Sequence, residues 1–85
     1  MRIMLTTSER TFLLSQMRLP QNFQDSVQEA TPSGEKWSLE ISEDDADAIR
    51  DLLTEKLAEI GFDENYSPTK AGVILEDLID KFFIG

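Results

Sequence analysis

The chain has 85 residues, with seventeen acids against eight bases for a net charge of −9, and it contains neither cysteine nor histidine. Those absences exclude disulfides and thiolate or imidazole metal sites, and they remove the usual general base of acid–base and nucleophilic catalysis. Apolar packing is left as the source of stability, in one small domain that buries roughly 60–65% of the surface its unfolded form exposes.

Met1 and Arg2 precede a short apolar run, Ile3-Met4-Leu5, which turns polar at Thr6. The run is too short for a signal-peptide core or a membrane span. Arg2 stands where myristoylation needs glycine, and there is no cysteine to carry a lipid. A soluble, cytoplasmic protein is the expectation. Residues 8–17 read as helix, with Thr7 or Ser8 as cap, Glu9 in the first turn, and Phe12, Leu13 and Met17 facing inward with Leu14 beside them. Residues 20–30 read as a second short helix, because Phe23, Val27 and Ala30 recur at helical spacing and Pro20 suits a first turn. As a strand the same segment would put Asp25 and Glu29 on the face of Phe23 and Val27. Thr31-Pro32-Ser33-Gly34 is a predicted turn. Residues 36–41 alternate apolar and polar, so Trp37, Leu39 and Ile41 share one face of a strand, with Trp37 read as core. A strand needs a partner; the candidates are Arg2–Thr6 and the segment before the turn, of which the second reads better as helix.

The clearest signal begins at Ser42. Ser42-x-x-Asp45 is a capping box, and Glu43, Asp44 and Asp45 suit the positive end of a helix dipole. Ala46, Ile49, Leu53, Leu57 and Ile60 then recur at helical spacing, with Leu52 widening the stripe. Gly61 follows, in place for a left-handed cap, and Phe62 is placed to fold back on the last turn. This predicts a helix over Glu43–Ile60. Asp63-Glu64-Asn65-Tyr66 connects it to a second helix, capped by Ser67 or by Thr69. Phe62 and Tyr66 are expected to pin that connector. The second helix buries Ala71, Ile74, Leu75, Leu78, Ile79 and Phe82; Gly72 allows close approach of the first helix, and Asp77 can pair with Lys81 at i,i+4. The expected fold is mostly α, a small α+β domain: two short N-terminal helices, one short strand element and a C-terminal antiparallel helical hairpin.

Charge is distributed unevenly along this map. Residues 43–85 set four bases against twelve acids, so they carry −8 of the −9. Asp44, Asp47, Asp51 and Glu55 fall on one face of the first long helix, with Asp63, Glu64 and Asp77 nearby. A straight row of carboxylates does not converge as a calcium or magnesium site requires, and the connector lacks the spaced ligands of an EF-hand loop. No metal and no cofactor is expected. Ser67-Pro68-Thr69-x-x-Gly72-x-x-x-Glu76, running into Leu78, resembles the way winged-helix DNA-binding domains open a helix after a turn. The resemblance covers that one helix. DNA binding would need several Lys or Arg contacts to phosphate, and the acidic balance of this half excludes it, as it does an anionic membrane.

The sequence also lacks a Gly-rich phosphate loop, a nucleophile elbow and any pair built on histidine or cysteine, so an enzyme is not expected. The functional expectation is a small acidic interaction protein that binds a basic surface of a protein partner, as immunity proteins, antitoxins and nucleic-acid-mimicking inhibitors do. Asp44, Asp47, Asp51, Glu55, Asp63, Glu64 and Asp77 are its candidate contacts. The alternative is a structural module, a monomer or weak homodimer that self-associates through a surplus apolar end, Val73, Phe83 and Ile84. Closure of Phe82-Phe83-Ile84 over Ile3 to Leu5 would instead leave that end without a partner role.

Overall fold

The structure, a computed structural model, describes residues 1–83. In chain order its elements are β1 (Arg2–Thr6), α1 (Thr7–Ser15), α2 (Gln21–Gln28), β2 (Thr31–Ser33), β3 (Lys36–Glu40), α3 (Glu43–Ile60) and α4 (Lys70–Phe82). The result is a small α+β fold, mostly helical, with a three-stranded antiparallel sheet.

The sheet corrects the expectation of one strand element. Its order is β1-β3-β2, with Ile3 opposite Leu39 and Leu5 opposite Trp37 on one side, and Pro32 opposite Trp37 on the other. Thr31 to Ser33, read from the sequence as turn, is a short edge strand, and the reversal falls at Gly34, whose φ is +64. Three residues show no alternation of their own; the ladder to β3 makes them a strand, and Pro32 is tolerated because an edge strand need not donate on both sides. Ile3, Leu5, Leu39 and Ile41 are buried together. Trp37, expected in the core, is half-buried on the central strand β3. Its indole Nε1–H donates to Thr7 Oγ1 (3.3 Å), and the Arg10 guanidinium lies 4.1 Å from the ring centroid. A polar edge and a cationic cover suit a ring that is half in water.

Helices α1, α2 and α4 pack against the strands, and α3 packs on α4. The cap of α1 is Thr6, one residue before the positions expected: Thr6 Oγ1 accepts from Glu9 N (3.1 Å) and Glu9 Oε1 accepts from Thr6 N (2.8 Å), a reciprocal capping box. In α2, Phe23 and Val27 face the core, with Pro20 at the cap. One cluster of buried side chains draws on β1, α1, α2, β3, α3 and α4.

α3 has the predicted bounds, and Ser42 Oγ accepts from Asp45 N (3.1 Å). Gly61 corrects its expected role. Its φ is −73, so the left-handed cap does not form. Glycine is needed there for space: a Cβ on Gly61 would strike Leu57, and a Cβ on Gly72 would overlap Gly61 O. The end of α3 and the start of α4 therefore touch backbone to backbone. Thr69, the second of the two expected caps, fastens this contact. Its amide donates to Gly61 O (2.9 Å), its hydroxyl donates to Ile60 O (3.0 Å), and the same oxygen accepts from Gly72 N (2.9 Å). Two carbonyls left over by α3 and one amide left over by α4 are satisfied by one residue.

The far end of α4 is tied to the beginning of the chain. Lys81 Nζ donates to Glu9 Oε1 at 2.6 Å, and the Glu9 side chain is 6% exposed. The expected Asp77–Lys81 pair gives way to this one. Asp77 lies in water, where an ion pair contributes little, whereas the buried Glu9 carboxylate gains more from a cation.

Two outcomes follow for stability. Gly72→Ala should lower the unfolding free energy by about 1–3 kcal/mol in urea titration, since the added methyl meets backbone that cannot step aside. Lys81→Met should cost about 1–3 kcal/mol by leaving Glu9 buried without its cation, and Glu9→Gln in the same chain should recover part of that loss. Equal stability of the single and double variants would show that the pair does not hold the ends together.

Candidate partner-binding surface

The pitch of α3 separates its two faces. Ala46, Ile49 and Leu53 are fully buried. Asp44, Asp47, Asp51 and Glu55 are exposed and fall within an arc of about 80° on the opposite side, spread along about 16 Å of axis. Asp47 Oδ1 lies 3.3 Å from Arg50 Nη2. Asp44, Asp51 and Glu55 have no cationic partner among the described residues. Asp44 also sits in the first turn, with Glu43 and Asp45, where it favours the helix as well as charging the surface. Three uncompensated carboxylates on one rigid helix give a fixed negative strip that screening by salt weakens but does not rearrange.

The remaining candidates do not extend that strip. Asp63 and Glu64 are exposed in the connector beyond the C-terminal end of α3. Asp63 is engaged locally: one carboxylate oxygen accepts from Asn65 N (2.8 Å) and Ser67 N (3.0 Å), and Ser67 O accepts from Asp63 N (2.9 Å). Glu64 has no ion-pair partner among the described residues. Asp77 is exposed on α4, on the side away from the buried Leu75, Leu78 and Phe82. The seven carboxylates thus form a strip on α3, a pair at the connector and a single group on α4.

The connector differs from its expected form. Phe62 and Tyr66 do not pin it: Phe62 is 44% and Tyr66 86% exposed. The pins are the Asp63 hydrogen bonds and a bridge between Phe62 and Pro68. Tyr66 has φ +60, in the left-handed region. Its periodicity gave no sign of this, although Asp63 and Asn65 are residues whose side chains bond nearby backbone in turns.

On the apolar alternative, Val73 is 50% and Phe83 61% exposed, and Arg50 lies 5.4 Å from the Phe83 ring centroid. About 15 Å of helix axis separates Val73 from Phe83, with the exposed Asp77 and Asp80 between them. Ile84 lies outside the described residues.

An open groove of about 350 Å³ runs beside α1, lined by Thr7, Ser8, Thr11, Phe12, Ser15, Gln16 and Ile74; none of the seven carboxylates lines it. Among the described residues, no three carboxylates are grouped so as to hold a metal ion, and no helix is long and apolar enough to cross a membrane. No family model, no curated protein and no solved structure matches the chain.

Asp63→Ala should release the connector. Hydrogen exchange at the Asn65 and Ser67 amides should then speed up, at a cost to global stability of about 1 kcal/mol or less. Unchanged protection of both amides would mean that the turn holds without the carboxylate.

Proposed function

We propose that this chain is a small non-enzymatic regulatory protein that binds a basic surface on a protein partner, as inhibitors of the immunity-protein and antitoxin kind do. The observation that carries the reading is the exposed strip Asp44, Asp47, Asp51 and Glu55, of which, among the described residues, only Asp47 has a cation of its own. In this reading α3 and α4 act as an antiparallel helical hairpin within a single acidic domain. The Gly61–Gly72 contact at one end and Arg50 over Phe83 at the other support that arrangement. The hairpin commits its apolar sides to the core and holds the carboxylates toward water. The mechanism is electrostatic steering followed by occlusion: the strip raises the encounter rate with a basic surface and then covers it. Glu64 in the connector and Asp77 on α4 add to the field, while Asp63 shapes the connector. The same field disfavours nucleic acid.

A second reading, a weakly self-associating module, rests on the exposure of Val73 and Phe83. Asp77 and Asp80 between them limit it to a small contact.

Reversing charge on the strip separates the two. An Asp47→Lys/Asp51→Lys variant should bind the partner recovered from the native host about tenfold more slowly at low salt, with most of the salt dependence gone. Association at the original rate and salt sensitivity would sink the steering mechanism. Light scattering at high protein concentration tests the second reading: a strict monomer removes it, and salt-insensitive dimerisation favours it over the first.

A further inference from the structure

We infer that Tyr66 is the anchor of the partner contact, its exposed ring stacking on an arginine of the partner's basic surface with the Glu64 carboxylate beside it for the same guanidinium. The inference rests on the partner reading above and names the residue and the chemistry at its centre.

The chain has seven aromatic residues. Phe12, Phe23 and Phe82 are buried in the core. Trp37 and Phe83 reach water, and each already carries an arginine of this chain over its ring, at 4.1 and 5.4 Å. Phe62 and Tyr66 remain, both in the connector, and no cation lies over either ring among the described residues. Tyr66 is the more exposed of the two, at 86%.

The fold gains little from tyrosine at this position. The ring buries almost nothing, and φ +60 is a conformation that a bulky side chain adopts only at a free-energy cost. Glycine would hold it without strain and asparagine with less; an asparagine stands one position earlier, at Asn65. The chain therefore breaks a local rule where packing gives nothing in return, which is the pattern of a residue kept for contact. The backbone beneath the ring is fixed by Asp63, through Asn65 N and Ser67 N, and by the Phe62–Pro68 bridge, so little ordering remains to be done on binding.

Charge selects the occupant. Asp63 and Glu64 lie just before the ring, within a half of the chain where acids outnumber bases three to one. An anionic ligand is repelled there, and a cation that also presents a flat face is favoured. Arginine meets both conditions: its guanidinium stacks on an aromatic ring and pairs with a carboxylate through its edge, whereas lysine offers a compact, strongly hydrated charge. Tyrosine and arginine are also the residue types that most often dominate protein interfaces.

The test uses the full chain, isotope-labelled for NMR, with hexa-arginine and hexa-lysine peptides as defined probes at low salt. Hexa-arginine should shift the Tyr66 ring resonances and the amides of residues 62–68. Tyr66→Phe should keep that affinity, and Tyr66→Leu, which retains apolar bulk without a π face, should weaken it about two- to fivefold. Hexa-lysine should bind the unaltered chain about as weakly as hexa-arginine binds the leucine variant. Shifts confined to residues 43–59, or equal affinity of the tyrosine and leucine chains, would overturn Tyr66 as anchor and leave the α3 strip standing as the contact. Absence of shifts on both surfaces would overturn the anchor and the basic-partner reading together.

Discussion

The backbone contact between Gly61 and Gly72 sets the geometry on which the rest of the acidic half depends. Where α3 ends and α4 begins, there is no room for a side chain on either partner. That closeness lets Thr69 reach Ile60 O and Gly61 O while capping α4. With the two axes joined at this end, Ile49, Leu53, Leu75 and Leu78 meet in the core, and the rotation of each helix about its axis is fixed. The exposed carboxylates follow from that rotation. They do not need to be placed one by one, because a helix whose apolar stripe is committed has no choice about its other face.

A second tie crosses the molecule. Glu9 completes the cap of α1 and accepts from Lys81 near the end of α4, a pairing across 72 residues. One carboxylate oxygen serves both the local cap and the long-range closure. β1 and α1 are thereby linked to α4 by a charge-assisted bond as well as by apolar contact. A buried carboxylate adds little net stability over a well-packed apolar pair, but it punishes any arrangement that separates it from its cation. The pair therefore favours this docking of the chain's two ends over others of similar apolar burial.

Much of the helical architecture was legible in the sequence because its signals are local. Ser42, the three acids after it and the stripe from Ala46 to Ile60 lie within one segment, and each carries its own physical reason. The exposure of Asp44, Asp47, Asp51 and Glu55 followed from the same periodicity. What was not legible depends on partners far away in sequence or on backbone shape. Residues 31–33 have no strand pattern until β3 lies beside them. Lys81 has an acid four residues before it, and the i,i+4 rule cannot see that Glu9 is buried within reach. Gly61 looked like a left-handed cap, whereas its lack of a side chain avoids Leu57 in its own helix, and it is Gly72 that leaves room for the Gly61 carbonyl. Phe62 and Tyr66 looked like pins because aromatic residues usually bury; the connector is held by Asp63, so both rings remain in water.

The edge formed by β2 bears on how the molecule behaves in a crowded solution. A strand left open at the side of a sheet invites other chains to add to it, and growth of that kind ends in aggregation. Here the open side offers three residues, and the middle one, Pro32, has no N–H to give an incoming strand. The short β2 that conceals itself in the sequence thus closes one route by which a small protein with an open sheet edge would precipitate.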